Sequence, residues 1–175
     1  VAQLFQKLGV SFGILGSLEG TDGNEVRALG EAELFKHLAE YNIKTFQKMG
    51  VEKIITLSPH AYNAIKNYYP QFGGSFEVRH YTHLLAELLP YAGLPKKSAS
   101  SKLRKATFHD PCYLGRHNKE YEAARNILGI LPGIELVEMK RNRSNSLCCG
   151  GGGANFFTDL VCSGVDRRAS FRQPQ

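Results

Sequence analysis

The stretch Val51-Glu52-Lys53-Ile54-Ile55-Thr56-Leu57-Ser58-Pro59 decides the fold class. Val51–Leu57 is a β-branched, apolar run and reads as a strand. Ser58 then offers a hydroxyl to the open backbone amides of a following helix, and Pro59 suits the first helical position. A strand passing straight into a capped helix is the unit of an α/β fold. Upstream, Leu34, Phe35, Leu38, Ile43 and Phe46 have helical spacing, which predicts an amphipathic helix from Ala32 that stops at Gly50. Val10–Leu15 predicts a strand ending at Gly16, and Glu19–Asn24 a polar loop. Downstream, the helix begun at Ser58 is predicted to end before Pro70. Phe76–Tyr81 is predicted as a further strand, with Thr82 capping a helix through Leu89.

Residues 94–101 are rich in Pro, Lys and Ser and read as a linker, which divides the chain into halves 1–97 and 98–175. The second half repeats the alternation. Lys105–His109 reads as a strand running into the turn Asp110-Pro111-Cys112. A helix over Glu120–Leu128, a strand over Glu135–Met139, a loop over Arg141–Gly153 and a helix over Ala154–Val161 follow. The predicted fold is therefore α/β: two pseudo-repeated halves with short, mainly parallel sheets flanked by helices.

Composition narrows the function classes. The 175 residues are 42% hydrophobic and 22% charged, ordinary for a globular protein. No run of 18 apolar residues is present, so this sequence holds no membrane-spanning helix. The start has no basic region followed by an apolar stretch and reads as a helix entered in the middle of a fold. With the polar, uncapped run Arg167–Gln175, it predicts a piece of a longer chain. The net charge of +6 is carried mostly by scattered residues with no nucleic-acid motif, so nucleic acid is not the expected partner. Four cysteines, two of them adjacent, do not make a disulfide framework. They read as reduced thiols in a cytoplasmic setting, used for metal or redox chemistry.

Cys112 follows a strand, in a turn fixed by Pro111. Thirty-five residues separate Cys112 from the pair Cys148 and Cys149, which are followed by Gly150, Gly151, Gly152 and Gly153. Adjacent cysteines present two soft thiolates from one short segment. A single zinc ion is more often held by a CxxC knuckle, whereas adjacent thiolates suit a polynuclear iron–sulfur cluster. Glycines without Cβ let the backbone come close and turn its N–H groups toward anionic sulfur. Arg116, Lys140, Arg141 and Arg143 are near in sequence and offer balancing charge. Cys162, beside Leu160 and Val161, reads as a core residue.

The strings His109-Asp110-Pro111-Cys112-Tyr113-Leu114-Gly115-Arg116-His117-Asn118 and Asn145-Ser146-Leu147-Cys148-Cys149-Gly150-Gly151-Gly152-Gly153 resemble the CCG, or cysteine-rich, domain. That domain occurs in heterodisulfide reductase catalytic subunits and in glycolate-oxidase-type iron–sulfur oxidoreductases. The resemblance implies a [4Fe-4S] cluster with Cys112, Cys148 and Cys149 as ligands and Gly150 and Gly151 against it. Residues 30–74 resemble the end of a preceding CCG repeat. There the family's CysCys pair would fall near Gly20-Thr21 and its CxxC at Ser58-Pro59-His60-Ala61, so all four positions lack sulfur and no first cluster is expected. In the second repeat 26 residues follow Cys149 and none forms a CxxC. Three thiolates stand where the family uses five.

The resemblance implies an electron-transfer module of a heterodisulfide reductase-like oxidoreductase. It would relay electrons between a flavoprotein, ferredoxin-type or membrane quinone-linked partner and another redox protein. The expected location is cytoplasmic, at the inner membrane face through other segments or partners. No residue is expected to be catalytic on its own. Two alternatives stay open: a cluster-less remnant, and a zinc-stabilised module in which His109 or His117 completes a Cys3His site. A Cys–His nucleophile pair lacks a placeable third partner. His80 and His83, three residues apart with no evident acidic partner, predict surface or capping roles.

Overall fold

The computed structural model describes residues 1–94 and 103–153. The first half opens with α1 (Ala2–Lys7) and a short α2 (Asn24–Ala28) before the long α3 (Ala32–Lys48). The decisive stretch folds as predicted: β1 (Lys53–Thr56) leads into α4 (Pro59–Asn67). The Ser58 hydroxyl accepts from the backbone N–H of His60 (3.2 Å) and of Ala61 (3.3 Å), satisfying two of the helix's open donors. β2 (Glu77–His80) returns parallel to β1, pairing Lys53 with Glu77 and Thr56 with His80. It runs directly into α5 (Tyr81–Leu88).

The second half repeats this strand–helix–strand unit. β3 (Arg104–Ala106) is followed by the one-turn α6 (Gly115–Asn118), then α7 (Glu122–Ile130), then β4 (Ile134–Leu136) parallel to β3. The described residues thus carry two separate two-stranded parallel sheets, each with a helical crossover, as parallel pairing requires. The expected boundary at 97/98, the helix over Ala154–Val161 and Cys162 lie outside the described residues.

Two apolar clusters hold the helices to this frame. Phe35, Ala39 and Ile43 of α3 pack on Ala64 and Ile65 of α4 and on Tyr69. Gly74 sits so close to Ile43 that a Cβ there would stand 2.5 Å from its side chain, so the chain leaving Tyr69 needs glycine at this point. The second cluster joins the halves: Phe5 of α1, Leu85 of α5 and Leu89, with Ile127 and Ile130 of α7 packed against them. The α5–α7 contact is the main helical seam between the halves.

Three expectations are corrected. Val10–Leu15 is not a strand. The Val10 N–H bonds the Phe5 carbonyl, Phe12 packs edge-on to Phe5 at 6.0 Å, and Ile14 is 82% exposed, so the run tucks two side chains under α1 with no ladder. Thr82 does not cap α5. The helix already starts at Tyr81, and the Thr82 hydroxyl lies 2.8 Å from His80 Nδ1 instead. His80 and His83 are not surface residues. His80 is 3% exposed, and the side chain of His83 is mostly covered and faces Glu120 at 3.1 Å, an acidic partner 37 positions along the chain. Burial lowers the His80 pKa to about 4, helped by the neighbouring His83 and opposed by the bond to the Leu57 carbonyl.

Candidate cysteine site at the seam between the halves

Cys112 sits just after β3, in a turn in which the Pro111 carbonyl accepts from Leu114 N–H and Gly115 N–H. Gly115 is required here, because a Cβ would stand 2.6 Å from the Tyr121 ring. The Cys148-Cys149 segment is pinned to this turn by a chain of hydrogen bonds. Asp110 Oδ2 accepts from the backbone N–H of Arg143 (2.6 Å), Ser146 Oγ donates to the Asp110 carbonyl (3.1 Å), and Arg116 donates to the Ser146 carbonyl (2.6 Å). Beneath them Arg125 holds Asp110 through two bonds of 2.6 and 2.8 Å and Glu138 through two of 2.6 and 3.0 Å. Arg125 is 5% exposed and the Asp110 side chain 1%. This fork-to-carboxylate pairing keeps both groups ionised: the Arg125 pKa is raised by its two carboxylates. The Asp110 pKa is lowered: its burial acts upward and is outweighed by the Arg125 and Arg143 bonds.

The result brings Cys112 together with Cys148 and Cys149. A side-chain hydrogen bond links Cys112 with Cys148, and burial first, then the charge on Cys148, raises the Cys112 pKa, while Arg116 lowers it. Cys148 and Cys149 are exposed, Cys112 half-buried, and none of the three is in a disulfide. The glycine run behaves as expected of a nest. Gly150 has a φ of +73°, its N–H lies 3.5 Å from Cys148 Sγ, and the Gly151 N–H lies 3.4 Å from Cys149 Sγ. Of the basic residues expected to balance charge, Arg116 acts on Cys112. Arg143 is instead paired with Glu122 and Glu138, and Arg141 donates to the Asn145 carbonyl.

The opposite wall comes from the first half. His60, in the first turn of α4, faces Tyr113 with ring centroids 4.4 Å apart, and Tyr113 stacks on His117 at 4.7 Å. A Cβ on Gly152 would lie 3.3 Å from His60 Cε1, so the glycine run rests against this ring. His60 Nδ1 pairs with the Glu25 carboxylate. Asn118 ties the seam further, donating to the Asn63 side chain and the Tyr113 carbonyl and accepting from Asn67.

A model of the cysteine-rich CCG domain matches residues 1–66 and 106–168. The chain belongs to this family. The match falls once in each half, on either side of the seam at which Tyr113 and His60 meet. Among relatives, a protein of Bacillus subtilis named probable iron-sulfur-binding oxidoreductase FadF is 49% identical over 153 residues, 87% of this chain and 21% of its own length. EtfAB:quinone oxidoreductase of Syntrophomonas wolfei is 41% identical over 160 residues, 91% of this chain and 22% of its own. A subunit of the dihydromethanophenazine:CoB–CoM heterodisulfide reductase of Methanosarcina barkeri is 33% identical over 158 residues, 87% of this chain and 38% of its own. The chain thus spans a fifth to two fifths of these relatives. No solved structure matches. The names of these relatives describe an iron–sulfur-binding oxidoreductase, a quinone oxidoreductase and a heterodisulfide reductase subunit.

The donor set fits an iron–sulfur group. It is all sulfur, two of its thiols are open to an incoming group, and backbone N–H groups already face two of the sulfurs, as an anionic cluster requires. Among the described residues, no three His, Cys, Asp or Glu side chains converge closely enough to hold a single ion. The Cys3His zinc site is therefore not assembled from the described residues. Sequence reading missed Asp110, Arg125, Ser146 and His60. Arg125 carried a signal: it stands four residues after Tyr121 and three before Leu128, a cation on the inward face of a helix.

Proposed function

We propose that this chain is the iron–sulfur electron-transfer module of a heterodisulfide reductase-like oxidoreductase, with Cys112, Cys148 and Cys149 as cluster ligands. The observation that supports this most is the assembly of these three thiols at one seam, with Gly150 and Gly151 N–H groups aimed at the Cys148 and Cys149 sulfurs. A [4Fe-4S] cluster supplies one-electron redox chemistry at a potential set by its ligands and hydrogen bonds. The chain's own part is to hold the irons through the thiolates and to offset their charge with Arg116 and the glycine amides. Burial on the Cys112 side limits water there, and the open Cys148–Cys149 side gives a partner close approach. No residue here attacks a substrate; the role is relay.

The organisation that supports this reading is a pair of repeats, 1–97 and 98–175, of which the second carries the cluster and the first has lost its sulfurs. The partners are other redox subunits or domains: a flavoprotein, a ferredoxin-type protein or a membrane quinone-linked protein. The setting is the reduced cytoplasm, at the inner membrane face through other segments. Among the described residues no helix is long and apolar enough to cross a membrane. Anaerobic reconstitution of the protein with iron and sulfide tests the reading. Broad visible absorption that bleaches on reduction, with an EPR signal in one redox state, is expected. Colourless protein without bound iron overturns it.

A further inference from the structure

His60 is the first half's contribution to the second half's site. It stands at the position where the first repeat's CxxC would run, Ser58–Ala61, and the fold carries it across the seam to the Cys112 turn and the glycine run. Three observations define what its ring offers. Glu25 accepts at Nδ1, and a carboxylate can only accept, so in the neutral ring Nδ1 carries the proton and Nε2 keeps its lone pair. Nε2 and Cε1 face Gly152, at 3.4 and 3.3 Å from the place a Cβ would take, which is the loop that carries Cys148 and Cys149. Tyr113, next to Cys112, packs on the ring at 4.4 Å and, with the Glu25 bond, fixes its orientation. A histidine held at one nitrogen by a carboxylate, with a lone pair left on the other, is the usual arrangement of a metal-bound imidazole, and here that other nitrogen faces the glycine run that follows Cys149.

We propose that His60 Nε2 is a ligand of the same iron–sulfur group that Cys112, Cys148 and Cys149 hold; this rests on the reading given under Proposed function. The bond forms from the Nε2 lone pair to iron and displaces no proton, since the ring proton stays on Nδ1 in the bond to Glu25. Glu25 is then a positioning residue. The site is mixed, sulfur and nitrogen, and its potential is raised above that of an all-thiolate cluster, because a neutral imidazole stabilises the reduced state more than a thiolate does.

The test uses the reconstituted protein with 15N-labelled histidine. Pulsed EPR of the wild type should show hyperfine coupling to one directly bound imidazole nitrogen. His60→Ala should lose that coupling together with part of the bound iron. His60→Cys should recover the iron without the coupling and at a lower potential. Glu25→Gln should keep the iron and change the nitrogen coupling. In the protein before iron is added, the 15N spectrum should show His60 protonated at Nδ1. A wild-type cluster that forms fully with no nitrogen coupling, or a His60→Ala protein with unchanged iron content, spectrum and potential, overturns this inference alone. So does an Nε2-protonated ring before loading. Wild-type protein that takes up no iron overturns the iron–sulfur reading and this inference with it.

Discussion

The two halves solve one local problem in opposite ways. Each has a parallel β–α–β frame and a loop that must be fixed to it. In the second half the loop ends in thiols: Asp110, Ser146 and Arg116 tie it to the frame, and Cys148 and Cys149 are left open. In the first half the loop around Thr21 and Asp22 is closed by polar bonds. Asn42 of α3 donates to the Thr21 carbonyl and to Tyr69 Oη, both at 2.8 Å, and Tyr69 Oη donates to the Asp22 carbonyl at 3.2 Å. Burial pushes the Tyr69 hydroxyl up to about 12 and raises Asp22 as well. Ser58 serves as a helix cap. The frame, then, does not need sulfur to stand. Side-chain hydrogen bonds hold this loop, and His60 of the first half walls the cysteine turn of the second.

The largest effect on this contrast is expected in the second half. Arg125→Ala leaves the buried Asp110 carboxylate without its cation, and loss of such a partner costs about 3–5 kcal/mol. Urea unfolding should show a loss of that size, and a loss under about 1 kcal/mol would mean that the loop is held by other contacts. The next effect belongs to the first half. Unfolded His80 titrates near 6.5 and the folded residue near 4, so between these values the unfolded chain binds the extra proton. Stability is fully present above pH 6.5 and falls by about 3 kcal/mol as pH drops toward 4. Urea midpoints across that range should show the fall, and His80→Gln should flatten it. Asn42→Ala removes the donor shared by Thr21 and Tyr69 and should cost about 2 kcal/mol, the penalty for buried polar groups left unpaired. Thermal unfolding reads this, while iron uptake should stay at the wild-type level. Ser58→Ala removes the α4 cap and should cost about 1 kcal/mol in the same measurement. That result would place the role of Ser58 in the helix rather than in metal binding.

The sequence was most legible where structure is local. Ser58-Pro59 named a helix start because a cap and its amides lie within three residues. The span of α3 followed from the spacing of Leu34 to Phe46, and the glycine nest from the run after Cys149. What escaped is long-range. Val10–Leu15 has strand composition, but a strand exists only through a partner ladder, and apolar packing under α1 claimed Val10 and Phe12 instead. His83 met Glu120, and His60 met Tyr113 and Glu25, across separations that no local pattern encodes. The cysteine triad was visible as spacing plus family resemblance. Its supporting network through Asp110 and Arg125 was not, because an aspartate before a proline reads first as a turn residue.

The thiols of the second half are proposed to be what holds the iron–sulfur group, with the first half supplying the wall around them and His60 to the group itself. Iron and acid-labile sulfide bound per chain after anaerobic reconstitution measure it directly, comparing wild type with Cys148→Ser and Cys149→Ser. The account predicts stoichiometric iron and sulfide in the wild type and loss of most of both in either variant, with unfolding midpoints unchanged before iron is added. Equal iron in all three proteins, or none in the wild type, contradicts it.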